Sequence, residues 1–302
     1  MNRRGLWVVL GLFGALFLVL FMLLSVSASS LSGKSGRASS GRGVGVIEIV
    51  GEIGDSKKIL REIRDFDQEA SIKSVLVRID SPGGAVAPSQ ELYQELKRLN
   101  EHKKVIVSMG SLAASGGYYA ALGGDKIVAN PGTLTGSIGV IMESIDASKL
   151  FALTRLESNV YKSGTFKDMG SPLRAATDDE RKVFAGLISS VYDQFVKAIV
   201  ESRHLDEKTV RALADGRVYT GEQALAKKLV DQLGSFQTAL DLAADAAEIK
   251  GRPELVYPAS DEDDNFLMRM VRESTKTAVS EFAASLSGSL SGSAQPKYLF
   301  RP

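Results

Sequence analysis

Three short segments combine a reactive side chain with small or backbone-permissive neighbours. Ser115 lies in Met109-Gly110-Ser111-Leu112-Ala113-Ala114-Ser115-Gly116-Gly117-Tyr118-Tyr119, which follows a strand-like run and enters a helix-like one. Its Ala and Gly neighbours leave the hydroxyl accessible, and a helix N-terminus beside it favours developing negative charge. Those are conditions for a nucleophile, although Ser111 as N-cap would leave Ser115 in the first helical turn. Asp80-Ser81-Pro82-Gly83-Gly84 also follows a strand. Its paired glycines let amides approach a substrate as an oxyanion hole requires, and an ordinary strand-to-helix turn uses the same residues. The third segment runs from Tyr161 to Pro172, where Lys167 stands between Phe166 and Met169. A lysine buried in apolar surroundings loses its proton more readily and then serves as a general base. Lys162 is the neighbouring alternative, and either lysine also fits an exposed loop.

Composition narrows the chemistry. The chain has 302 residues, 37 basic and 36 acidic side chains, a net charge of +1, no cysteine and two histidines. Near-neutral charge argues against a nucleic-acid binder. Without cysteine there is no disulfide framework, thiolate nucleophile or cysteine metal site. His102 lies in the charged run Glu101-His102-Lys103-Lys104 and His204 follows Glu201-Ser202-Arg203, poor settings for a catalytic or metal-ligating imidazole. Acid-base chemistry therefore falls to Lys, Asp, Glu or Tyr. Gly33-Lys34-Ser35 lacks the first glycine and the strand context of a phosphate-binding loop, and no serine satisfies G-x-S-x-G.

The elements that must position these groups follow from periodicity. Apolar β-branched runs at Val44–Val50, Ile72–Ile79 and Lys104–Met109 alternate with helical patterns at Ser56–Gln68 and Ala87–Leu99, with a further helix near Ala114–Leu122. This is the signature of an α/β protein with a buried, largely parallel sheet. Capping boxes at Thr177/Glu180 and Thr220/Gln223 open two more helices, and the first carries Phe184, Leu187, Ile188, Val191, Phe195 and Ile199 on one face. Gly5–Val26 is an uncharged apolar run of 22 residues after Arg3 and Arg4, about 33 Å as a helix and enough to cross a bilayer. It exceeds the core of an ordinary cleaved signal peptide. The basic pair beside it places the N-terminus in the cytoplasm and the remainder outside.

The expected organisation is a cytoplasmic N-terminus at 1–4, a transmembrane anchor at 5–26, a Ser/Gly-rich tether at 27–43 and a folded domain at 44–258. An amphipathic helix at 259–287, whose stretch Phe266 to Leu286 places Leu267, Val271, Ala278, Phe282 and Leu286 together, and a tail at 288–302 follow. The apolar Tyr298-Leu299-Phe300 suggests a docking tail.

Taken in order, these segments, with Ala129-Asn130-Pro131, Thr135-Gly136-Ser137-Ile138-Gly139-Val140, Gly164-x-Phe166-Lys167-x-x-x-Ser171-Pro172-x-Arg174 and Ala214-Asp215-Gly216-Arg217-Val218-Tyr219-Thr220-Gly221, resemble the signal peptide peptidase A family of bacterial membrane serine proteases. The likeness spans about residues 44–250. It implies a Clp-protease/crotonase-like fold of repeated ββα units and a Ser/Lys dyad, with Ser115 as nucleophile and Lys167 as general base. It further implies that Ser137 orients the lysine and that Gly83, Gly84 and Gly116 supply the oxyanion hole, with no metal or cofactor. Substrates would be remnant signal peptides and other hydrophobic peptides in the membrane. The partners would be membrane lipid and further copies of the chain in a ring or dome, on the outer side of the bacterial cytoplasmic membrane. An acyl-CoA enzyme of the crotonase superfamily, a stomatin-associated Ser/Lys protease and an inactive membrane scaffold are the competing assignments.

Overall fold

The computed structural model describes residues 43–154 and 157–258. The expected membrane anchor, the tether up to residue 42, the 259–287 helix and the C-terminal tail lie outside the described residues. In chain order the elements are β1 (Gly43–Val50), α1 (Lys57–Gln68), β2 (Ile72–Ser81), α2 (Val86–His102), β3 (Lys104–Ala114), α3 (Gly116–Ala121), β4 (Lys126–Ala129) and β5 (Leu134–Gly136). There follow α4 (Ser148–Thr154), α5 (Asp178–Arg203), α6 (Glu207–Leu213), β6 (Val218–Thr220), α7 (Gly221–Ala226), β7 (Gln232–Leu233), α8 (Phe236–Ala246) and β8 (Glu254–Val256).

The sheet is mixed, in the order β6-β5-β3-β2-β1-β8, with β4 pairing β3 and β7 beside that path. All pairings are parallel except β5 with β6. Along β2, Val75, Val77 and Ile79 face one side and Ser74 and Leu76 the other, the period of two that strand geometry imposes. The first side packs Ile63 and Phe66 of α1 and Leu92, Leu96 and Leu99 of α2. The second packs Ala239, Leu240, Ala243 and Ala244 of α8, where the buried Ser74 hydroxyl donates to the Ala243 carbonyl at 2.7 Å. Cover on both faces explains why the central strands read as nearly continuous apolar runs.

β3 decides where the chemistry sits. Its first half pairs β4 through Ile106–Ser108, and its second half pairs β5 through Leu112–Ala114, so the strand forks the sheet. The sequence pattern ends this strand at Met109, because Gly110, Ser111 and the alanines lack β-branched character. The structure carries it to Ala114, held by buried hydroxyls: Thr133 donates to Gly110 O at 2.7 Å and Thr135 to Ala113 O at 2.6 Å. Asp80 receives the Leu112 amide at 3.1 Å, and its carboxyl packs so close to Gly110 that a Cβ there would meet it at 2.6 Å.

Both capping boxes form as expected. The apolar face of α5 is divided, however. Phe195, Val196 and Ile199 join the core, whereas Leu187 in the N-terminal half stays exposed. Among the described residues α5 is the helix long and apolar enough to cross a membrane, but its C-terminal half is core. That end is fixed by Arg203, 9% exposed, which makes paired bonds to Asp231 at 2.9 and 3.0 Å while Asp231 also receives the Ile127 amide at 2.8 Å. Asp231→Ala strands a nearly buried guanidinium and an amide together. It is expected to cost about 2–4 kcal/mol in urea unfolding, from the usual penalty for breaking a buried, hydrogen-bonded charge pair.

Candidate active site

Ser115 is the hinge between β3 and α3. Its φ is +53° and ψ −120°, a conformation an L residue adopts only when its surroundings enforce it. The enforcement is visible: the Ser115 amide donates to Gly136 O at 2.8 Å, and its carbonyl accepts from Tyr119 N at 2.9 Å. Ser115, rather than Ser111, occupies the N-cap position, and Ser111 belongs to the strand. Unlike an ordinary cap, the Ser115 side chain makes no bond to the helix amides, so Oγ stays available at the positive end of α3. The arrangement matches the strained strand-to-helix turn on which other folds mount a nucleophile.

The glycine turn lies against this hinge. Gly83 has φ +97°, and a Cβ there would lie 2.5 Å from the Gly116 amide nitrogen and 2.9 Å from Ser115 Cβ. Gly83 N–H is turned to Ser81 Oγ at 3.1 Å. The turn is clipped to Ile53 by Ile53 N donating to Gly83 O and Ala85 N donating to Ile53 O, both 2.8 Å. That pattern gives the Gly84 and Gly116 amides no backbone acceptor among the described residues, and Gly84 N would be 3.2 Å from a Cβ on Gly116. Two adjacent donors beside a serine hydroxyl are what a tetrahedral oxyanion needs. Gly84 and Gly116 are therefore the better-placed pair, and Gly83 is the residue that permits the approach.

Ser115 and Ser137 line one cleft of about 720 Å³. Val140, Ile141, Ile188, Tyr192 and Ala214 make its walls largely apolar, with Asp215 at one margin neutralised by Arg217. Ser137 is held in the left-handed region, φ +49°, by donating its amide to Arg217 O at 2.9 Å. A smaller hole of about 30 Å³, lined by Val86, Tyr119, Val140, Val191 and Phe195, opens beside Ser115 and Gly116. The α5 contribution to both spaces was missed in the sequence, where its apolar stripe looked like core alone.

Lys167 departs from expectation. It is exposed rather than buried between Phe166 and Met169, and it is not among the described residues that line the Ser115 cleft. The reason is that residues 157–176 form turns without packing onto the core; Phe166 is itself exposed. The same arm, with residues 139–154, displays Ile141 (77% exposed), Leu153 (82%) and Tyr161 (96%). What holds the lysine's turn is charge. Asp168 accepts from Lys162 at 2.5 Å and from Arg174 Nε at 3.0 Å, and Arg174 also grips both carboxylate oxygens of Glu180. These cations hold the Asp168 carboxyl well below its usual range, and Arg174 with the Thr177 amide lowers Glu180 to about 2.

Comparison with known proteins fits this geometry. The profile of peptidase family S49 matches residues 97–250, and that of Clp protease matches residues 43–133. The chain belongs to peptidase family S49. A Synechocystis protein described as a protease is 41% identical over 225 residues, covering 74% of this chain and 80% of the relative. An Enterococcus faecium protein described as signal peptide peptidase SppA is 38% identical over 186 residues, covering 61% of this chain and 54% of the relative. Protease 4 of Salmonella typhi is 33% identical over 190 residues, 63% of this chain and 31% of that longer protein. The S49 chain is thus an SppA-type serine peptidase with a Clp-protease-like α/β fold. In it, Gly83→Ala forces a Cβ into the Gly116 amide. Peptide turnover is expected to fall about 10²–10³-fold, the usual loss when an oxyanion donor is displaced, in a steady-state assay on protein that still folds.

Proposed function

We propose that this S49 peptidase is a membrane-tethered endopeptidase for remnant signal peptides and other hydrophobic peptides, with Ser115 as nucleophile and Lys167 as general base. The observation that carries the assignment of Ser115 is its enforced φ of +53° with an uncommitted hydroxyl beside the Gly84 and Gly116 amides. Ser115 Oγ attacks the scissile carbonyl as Lys167 takes its proton, and the two amides hold the oxyanion. Lys167 then protonates the leaving amine, and it activates the water that releases the acyl group. Ser137, on the same cleft, orients the arriving lysine amine. The apolar cleft suits hydrophobic segments, and the run at Gly5–Val26 supplies the anchor that keeps enzyme and substrate at one membrane, with the catalytic domain outside the cytoplasm.

The base comes from a neighbouring copy in a homo-oligomeric ring or dome. Two features support this: Lys167 does not line its own protomer's cleft, and its arm carries large exposed apolar side chains. Exposed apolar surface of that kind is characteristic of interfaces. Ser115→Ala and Lys167→Ala are each expected to be inactive on a fluorogenic hydrophobic peptide. Co-expressed, they regain about a quarter of wild-type activity, the fraction of sites that random mixing in a cyclic assembly completes. Absence of recovery would refute delivery in trans, and near-normal turnover by Lys167→Ala would refute the base itself.

The small hole beside Ser115 takes the side chain preceding the scissile bond. Its lining by Val86, Tyr119, Val140, Val191 and Phe195 makes it narrow, and it favours a small side chain such as alanine over phenylalanine. In a matched peptide pair kcat/KM should favour alanine by about tenfold or more, the scale of discrimination by pocket size. Val191→Ala should narrow that ratio; equal rates for the two peptides in wild type would remove this subsite.

A further inference from the structure

Lys167 lies on a turn with little hydrophobic packing, yet a general base needs a fixed position. Around it, Lys167 N donates to Gly164 O at 3.2 Å and Met169 N to Phe166 O at 3.1 Å, local bonds that an exposed chain exchanges readily with water. The stronger restraint begins at the next residue. Asp168, mostly buried, is tied to Lys162 and to Arg174, and Arg174 reaches the Glu180 carboxylate, 2% exposed, through a paired contact. Glu180 in turn receives the Thr177 amide at 2.8 Å as the third residue of α5, within the helix's capping box. A bidentate arginine is a geometric restraint that a point charge does not reproduce.

We propose that the relay Asp168–Arg174–Glu180 is a positioning device for Lys167, fixing the turn that carries the base to the N-terminus of α5. This rests on the assignment of Lys167 as general base. The relay has a second consequence: α5 also contributes Ile188 and Tyr192 to its own protomer's cleft, so one helix connects the mount of the lysine given to a neighbour with a wall of this copy's substrate site. Burying a carboxylate in an ion pair gives little net stability. The benefit lies in the restraint of a turn that otherwise samples many conformations.

The test is a cycle of four proteins: wild type, Arg174→Ala, Lys167→Ala and the double variant. The rate of Ser115 phosphonylation by a fluorophosphonate is followed by intact mass, which quantifies slow variants over days, and kcat and KM are measured where turnover permits. Arg174→Ala should lower kcat about 10- to 100-fold with KM within about twofold, the cost of misplacing a catalytic group by an ångström or so while the cleft stays intact. In the Lys167→Ala background the same change should cause no further loss. Equal loss in both backgrounds, or wild-type kcat for Arg174→Ala, overturns the relay. Near-normal labelling and turnover by Lys167→Ala alone overturns the base assignment instead, and the relay with it. Arg174→Lys keeps the charge and removes the fork; it serves the same cycle if Arg174→Ala does not fold, and should show the same kcat-selective loss.

Discussion

The site depends on one close approach of backbone to backbone. Gly83 lies where any side chain would strike the Gly116 amide, and Gly116 lies where a Cβ would come within 2.3 Å of the Ser89 hydroxyl. Removing both side chains lets the turn after β2 and the turn after β3 touch at their tips, which brings two amides beside Ser115 Oγ. Each turn is separately anchored, the first to Ile53 and the second to Gly136. The pair of donors is therefore present before any substrate arrives, the condition under which electrostatic stabilisation costs no reorganisation at the moment of reaction.

This approach is possible because β3 changes partners. By passing from β4 to β5 it carries Ala113 and Ala114 beyond the first half of the sheet, where the Thr133 and Thr135 hydroxyls donate to the Gly110 and Ala113 carbonyls. Buried hydroxyls in such positions look like a polar cost to the core. They brace the strand at a fork, and the five-residue extension ends directly before Ser115.

Much of this was legible in the sequence, for reasons that also mark the limit. β-branched runs with cover on both faces identify β1 to β3, and Thr177/Glu180 and Thr220/Gln223 mark helix starts to the residue because capping is local chemistry. The last stretch of β3 was not legible, since Gly110 to Ala114 have no strand propensity and their pairing is imposed by Thr133, Thr135 and Asp80 from elsewhere in the fold. The role of α5 was half legible. An apolar stripe at helical spacing reports that a face avoids water, but it does not separate Phe195 and Ile199, which meet the protein's own core, from Ile188 and Tyr192, which line a cleft. Two apolar neighbours in sequence suggest burial of Lys167, and local neighbours do not create a core when the segment bearing them is joined to the rest of the fold mainly through the charged contacts of Asp168 and Arg174.

Under the proposed assignment, the same arm keeps a lone chain from acting indiscriminately. One protomer carries the strained serine beside the Gly84 and Gly116 amides, whereas Lys167 is not among the described residues that line that cleft and sits on an arm that also exposes Leu153 and Tyr161. Under the proposed assignment a lone chain holds a nucleophile with no base to activate it, and catalysis waits on burial of the apolar arm against another copy. The two restraints on the lysine then have separate origins. Hydrophobic burial supplies the drive to assemble and is insensitive to direction, while the directional bonds of Arg174 set where the amine points once assembly has occurred. An apolar mount alone would assemble without placing the base, and a charged mount alone would place it against nothing. The near-neutral composition of the chain conceals this division, because opposite charges gathered on Lys162, Asp168, Arg174 and Glu180 cancel in the total while acting locally.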